Sequence, residues 1–100
     1  MKGLWLKNEF YKAEIEQLEY EVDVMNKRIA EIMSERARLE LLLSDIDQVV
    51  EAKRQIGKIA EEYGEITRLV ADKKERIVEL SKNRRDMISD AYLRVSEYDY

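Results

Sequence analysis

Apolar residues recur along this chain at alternating steps of three and four, and the rhythm changes phase once, near the middle. The first run is Leu4, Tyr11, Ile15, Leu18, Val22, Met25, Ile29, Ile32, Leu39, Leu43, Ile46 and Val50. The second is Val49, Ala52, Ile56, Ile59, Tyr63, Ile66, Val70, Ile77, Leu80, Met87 and Ala91. This spacing gathers each run onto one stripe of a helix, and such a stripe is buried only against another helix. The expected fold class is all-α: two long helices forming an antiparallel helical hairpin, or coiled coil, that dimerises into a helical bundle.

The phase change says where the chain turns. Read as one continuous helix, Leu43, Ile46, Val49 and Ala52 are all three apart. That is a stammer, which overwinds a coiled coil locally. A turn accounts for the same spacing more simply. Ser44-Asp45-Ile46-Asp47 supports it, with a hydroxyl residue placed to cap a new helix and an acid three residues later. Asp45, Asp47 and Glu51 then fall in the first turns, where the helix dipole favours negative charge. We expect one helical coiled-coil domain over residues 1–100, with helix one about 4–43, a turn near 44–46 and helix two about 46–96. A continuous rod and a turn near Gly57–Gly64 are the competing layouts.

Charge agrees with folding back. Residues 9–51 carry twelve acids against five bases, whereas 73–85 carries six bases against Glu75 and Glu79. A reversal near residue 45 lays that basic stretch beside Glu9, Glu14, Glu16, Glu19 and Glu21. Exposed ion pairs of this kind set register and orientation more than stability.

Composition narrows the function classes. With 40% charged residues, no proline and three glycines, the chain matches long helices rather than a loop-rich enzyme. Its 45% hydrophobic content, regularly spaced, argues against disorder. There is no cysteine, so no disulfide and no thiolate site, and no histidine, the commonest general base. No phosphate-binding glycine loop surrounds Gly57-Lys58, and Glu61, Glu62 and Glu65 lack the histidines that accompany acids in di-metal bundles. We expect no enzyme activity, no catalytic residue, no metal and no cofactor. No apolar run approaches the ~18 residues of a membrane span, and the start lacks the long apolar run of a signal peptide. The expected location is cytoplasmic.

Five seam positions are polar: Asn8, Arg36 and Arg84 at position a, Lys73 and Arg94 at d. They read either as register devices or as long side chains reaching from the seam edge toward glutamates, and the second reading is favoured. Gly57 and Gly64, both at position b, read as tolerated outer-face residues. Val24, Met33, Leu41, Leu42, Leu69, Val78, Ile88, Leu93 and Val95 lie off the seams and widen the apolar stripe beyond what a two-stranded coil uses.

Seven of the eight aromatic residues lie in the first twenty or last nine positions. A hairpin brings those ends together. The expected partner-binding residues are Leu4, Trp5, Leu6, Phe10, Ile88, Tyr92, Val95 and Tyr98, since exposed aromatic clusters anchor protein interfaces. The expected partners are another protein and a second copy of the chain, with neither nucleic acid nor membrane expected. The function anticipated is a small coiled-coil adaptor, assembly factor or protein-blocking inhibitor. The alternative is a nucleic-acid-associated helical protein using Lys73, Lys74, Arg76, Lys82, Arg84 and Arg85. That stretch is interrupted by acids and by the seam, unlike a dense basic-region helix.

Overall fold

The computed structural model describes residues 2–98 of the backbone and the side chains of residues 3–94. The chain is all-α, an antiparallel hairpin of two long helices: α1 (Lys2–Glu40), a short 3-10 turn (Leu41–Ser44) and α2 (Val49–Tyr98). Contacts divide it into two compact units. One joins residues 1–21 to 73–100, and the other is the continuous stretch Val22–Asp72.

Within the first unit, positions rising along α1 meet positions falling along α2. Asn8 pairs with Arg84, Glu14 with Arg76 and Glu21 with Lys73. The second unit carries Arg28 against Glu62, and Ile32, Leu39 and Ile59 form its buried cluster. Leu42, Ile56 and Ile66 pack around that cluster. Burial follows the heptad closely: Val22, Ile32, Leu39, Ala52, Ile59, Val70 and Leu80 are the buried apolar residues, all at a or d. Each fully buried large aliphatic side chain contributes about 1.5–3 kcal/mol, so a few of them outweigh the exposed ion pairs along the edges.

The turn departs from expectation in three ways, each with a physical reason. The seam of the first helix stops at Leu39 instead of running on through Leu43, Ile46 and Val50. Ile46 is 91% exposed and Val50 79%. Residues 41–44 take three residues per turn, and that tighter winding carries Leu42 rather than Leu43 onto the cluster. Ser44 does not cap α2, because its hydroxyl donates back to the Leu41 carbonyl at 3.4 Å.

Asp45 takes the capping role. Its extended backbone (φ −93°, ψ 113°) breaks the winding, and its N–H donates to the Leu42 carbonyl at 3.1 Å. Its own carbonyl accepts from the N–H groups of Gln48 and Val49 at 3.1 and 2.9 Å. Its carboxylate accepts from the Asp47 N–H at 2.9 Å and from the Gln48 side chain at 3.2 Å. One residue thereby closes the 3-10 turn and, through its carbonyl, satisfies the Val49 N–H that opens α2.

Gly57 and Gly64 lie inside α2, so the chain does not turn there. A Cβ added at either meets nothing within 4 Å. No helix among the described residues is long and apolar enough to cross a membrane.

Asp45→Ala lowers the free energy of unfolding by about 1 kcal/mol, because the carboxylate's bonds to the Asp47 N–H and the Gln48 side chain are lost while its backbone bonds remain. Ser44→Ala leaves it almost unchanged. Urea unfolding followed by circular dichroism measures both, and a larger loss at Ser44 than at Asp45 would refute the assignment.

Candidate functional site

Burial of the a and d seam leaves each helix pair with two flanks, one lined by g positions and one by e positions, because antiparallel helices bring like letters together. The g flank is closed by charge. In the first unit Arg76 lies 3.6 Å from Glu14, and the Lys73 ammonium reaches Glu21 at 2.7 Å. In the second, the Arg28 guanidinium grips both oxygens of Glu62 at 2.7 and 2.9 Å and also reaches Glu31 at 3.1 Å. Among the described residues no interhelical ion pair lies on the e flank.

The carboxyls on the closed flank carry the mark of their partners. The Lys73 ammonium, followed by the amide of Gln17, holds the Glu21 carboxyl below its ordinary 4.5. Arg28 does the same for Glu62. At the start of α2, Arg54 and then Gln55 pull Glu51 down to about 2, a contact internal to that helix. Partial exposure means that water and salt screen all of these pairs.

The polar seam residues split between the two readings. Arg36 swings out to Glu40 at 3.1 Å, and Lys73 reaches Glu21, as long side chains at a seam edge do. Asn8 and Arg84 behave differently, since Arg84 Nε donates to Asn8 Oδ1 at 2.7 Å across the helices, partly buried. Two polar a positions meeting inside the seam reward one register, because any slip leaves both facing apolar side chains.

The expected partner-binding residues do not gather on one surface. Leu4 lines a groove of about 840 Å³ in the first unit together with the seam residues Tyr11, Met87 and Ala91 and the charged Lys7, Asp86 and Asp90. Trp5, 62% exposed, and Ile88, 46% exposed, both occupy e positions. Leu6 and Phe10 lie on the outer side of α1; Phe10 is about 140° around the helix from Trp5 at 3.6 residues per turn. Phe10 is 73% exposed, and Tyr92 on α2 is 72% exposed. Val95 and Tyr98 lie outside the residues whose side chains are described.

Of the six basic positions considered for nucleic acid, Lys73, Arg76 and Arg84 are turned toward α1 and engaged there. Lys74, Lys82 and Arg85 are exposed.

Two groupings of exposed apolar residues do not follow from nearness to the chain ends. Leu6, Phe10 and Tyr20 share the outer side of α1, at heptad positions c and f, and all three are exposed. The signal was present as a second spacing of three and four, out of phase with the main seam. Leu41, Ile46 and Val50, at and beside the turn, are each exposed, which follows from the 3-10 winding.

No family model matches this chain, and neither a curated protein nor a solved structure does.

The depressed carboxyls predict a direction with pH. A carboxyl whose folded pKa lies below its unfolded value stabilises the fold fully above 4.5, and that contribution disappears as pH falls through the lowered value. The urea midpoint is therefore steady from neutral pH down to about 5.5 and declines below about 4.5. Glu21→Gln combined with Glu62→Gln lowers the midpoint at neutral pH and flattens the acid decline. An unchanged acid slope in the double variant would show that these pairs contribute nothing.

Proposed function

We propose that this chain is a non-enzymatic interaction module, a small coiled-coil adaptor, assembly factor or protein-blocking inhibitor that works through protein–protein contacts and self-associates. The observation that carries the reading is the large apolar side chains left in water off the seam. Trp5, Leu6, Phe10, Ile88 and Tyr92 are all exposed in one unit. Scattered exposed leucines need no explanation, but aromatic residues concentrated in one unit are typical of binding surfaces.

The arrangement suits recognition by helices in particular. Leu6, Phe10, Ala13, Gln17 and Tyr20 repeat at four, three, four and three along the outer side of α1. A partner helix can lay its own apolar stripe there without disturbing the hairpin seam. Phe10 and Tyr20 provide large, rigid contact areas at low conformational cost.

The nucleic-acid reading is weaker for a specific reason. Half of its basic residues are engaged by carboxylates or by Asn8 within the hairpin. The remaining three are few for the phosphate contacts that salt-sensitive binding requires.

The test is affinity purification with quantitative mass spectrometry, comparing the wild-type chain with Trp5→Ala/Phe10→Ala. A protein that co-purifies with the wild type falls by roughly tenfold or more in the double variant, as loss of aromatic anchors implies. Circular dichroism shows unchanged helicity, because both residues are exposed. Retention of every co-purifying protein would remove these residues from the partner surface. Fluorescence anisotropy with single- and double-stranded oligonucleotides covers the alternative, where tight binding that weakens steeply with salt would replace the protein-partner reading.

A further inference from the structure

From the sequence pattern and the unpaired e flank we infer that a second copy of this chain packs face to face on the heptad e and b edge of the unit formed by residues 1–21 and 73–100, so that α1 of each copy lies over α2 of the other. The inference deepens the interaction-module reading and rests on it, since it names a partner for one of its surfaces.

The two sides of that edge differ in charge within the first unit. On α1 the exposed e and b positions run Trp5, Glu9, Lys12, Glu16 and Glu19, acidic apart from Lys12. On α2 they run Lys74, Val78, Arg85, Ile88 and Tyr92, basic and apolar, with no acid among them. All ten are exposed, and none of the charged ones belongs to an interhelical ion pair among the described residues. An acidic strip and a basic strip lie side by side on the same edge without neutralising each other.

Symmetry then decides how two such edges can meet. Closed dimers are overwhelmingly twofold, and a twofold axis can relate two facing hairpins in two ways. With the axis across the helices at the middle of this unit, α1 lies over α1 and α2 over α2, setting acid on acid and base on base. With the axis along the helices, α1 lies over α2 of the other copy, and the signs are opposite everywhere but at Lys12. Like charges brought together across an interface cost several kcal/mol in total, so charge selects the second arrangement.

The levels match as well. Asn8 with Arg84 and Glu14 with Arg76 fix which residues of the two helices stand at equal height. An axis along the helices preserves those heights between copies. Glu9 then stands within a turn of Arg85, and Glu16 and Glu19 stand level with Lys74. Trp5 falls between Arg85 and Ile88, where its ring covers apolar surface and faces a guanidinium. Lys12 falls beside Val78, where its aliphatic stem packs and no base opposes it.

The unit of residues 22–72 carries the same edge independently. Met33 and Ala37 lie on α1, and Gly57, Ala60 and Gly64 lie on α2. A groove of about 230 Å³ opens there between Met33, Ala60 and Tyr63. The space beside Gly57 and Gly64 is open, so a facing backbone can approach closely.

Sedimentation equilibrium on the full chain tests the inference. The wild type sediments as a dimer. Glu9→Lys/Glu16→Lys weakens its dissociation constant by roughly tenfold or more, and adding Lys74→Glu/Arg85→Glu to the same chain restores it to within about threefold. The arrangement is read by cross-linking, since the chain has no cysteine of its own. A Glu16→Cys chain mixed with a Lys74→Cys chain is joined by a short bismaleimide faster than Glu16→Cys alone. A monomer at every concentration up to roughly 100 µM, a dimer indifferent to charge reversal and rescue, or faster joining of Glu16→Cys to itself would each overturn it. A monomeric result leaves the partner surface at Leu6 and Phe10 standing, because those residues lie on another side of α1. Phe10→Ala alone tests that surface without touching the edge.

Discussion

Burial of a narrow apolar stripe against its own continuation is the constraint from which the rest of this molecule follows. Ile32, Leu39 and Ile59 are nearly lost to solvent only because the chain reverses between residues 41 and 48 and brings the second seam back onto the first. Once a and d positions face each other, every other heptad letter has an assigned place. The g positions become a flank where Arg28 and Glu62 can meet, and the e positions become the opposite flank. Surface chemistry is thus set by the core's geometry, one letter at a time.

The two flanks illustrate how a simple fold separates stability from recognition. Ion pairs line the g side and Asn8 meets Arg84 within the seam, and these contacts mainly specify register. Among the described residues the e side has no interhelical ion pair, and it holds Trp5, Met33 and Ile88 exposed. A chain that spent its charges evenly on both flanks would have had no surface free for another helix. Concentrating them on one side leaves the other open at little cost in stability, since exposed pairs contribute little wherever they sit.

Sequence periodicity made the architecture legible because a three-and-four rhythm has few physical explanations. The phase slip also located the reversal. Its chemistry was misread for a definite reason: Ser44 and Asp45 are both good capping residues, and spacing alone favours the serine with its acid three positions on. The outcome depended on the 3-10 winding of Leu41–Ser44, which turns the Ser44 hydroxyl back to Leu41 and leaves Asp45 extended. Nothing in a heptad pattern announces that change of pitch. At the surface, the aromatic residues were found by their position in the chain, but nearness to the ends does not specify a face. Trp5 and Phe10 are five residues apart, which separates them around the helix, so one expected patch became two. The pairing of Asn8 with Arg84 was hidden as well, because the polar seam positions were visible while the register joining them was not.

Both surfaces depend on α1 folding back along α2, and a distance within one unit measures that directly. Spin labels at Lys12→Cys and Lys82→Cys, in a chain otherwise free of cysteine, report it by double electron–electron resonance after dilution with unlabelled chain. Helices packed 8–10 Å apart predict a narrow distribution somewhere in the range of roughly 15–30 Å, label arms included. A continuous helix would separate the same positions by about 105 Å at 1.5 Å per residue. Loss of the short distance would contradict the hairpin and, with it, both surfaces built upon it.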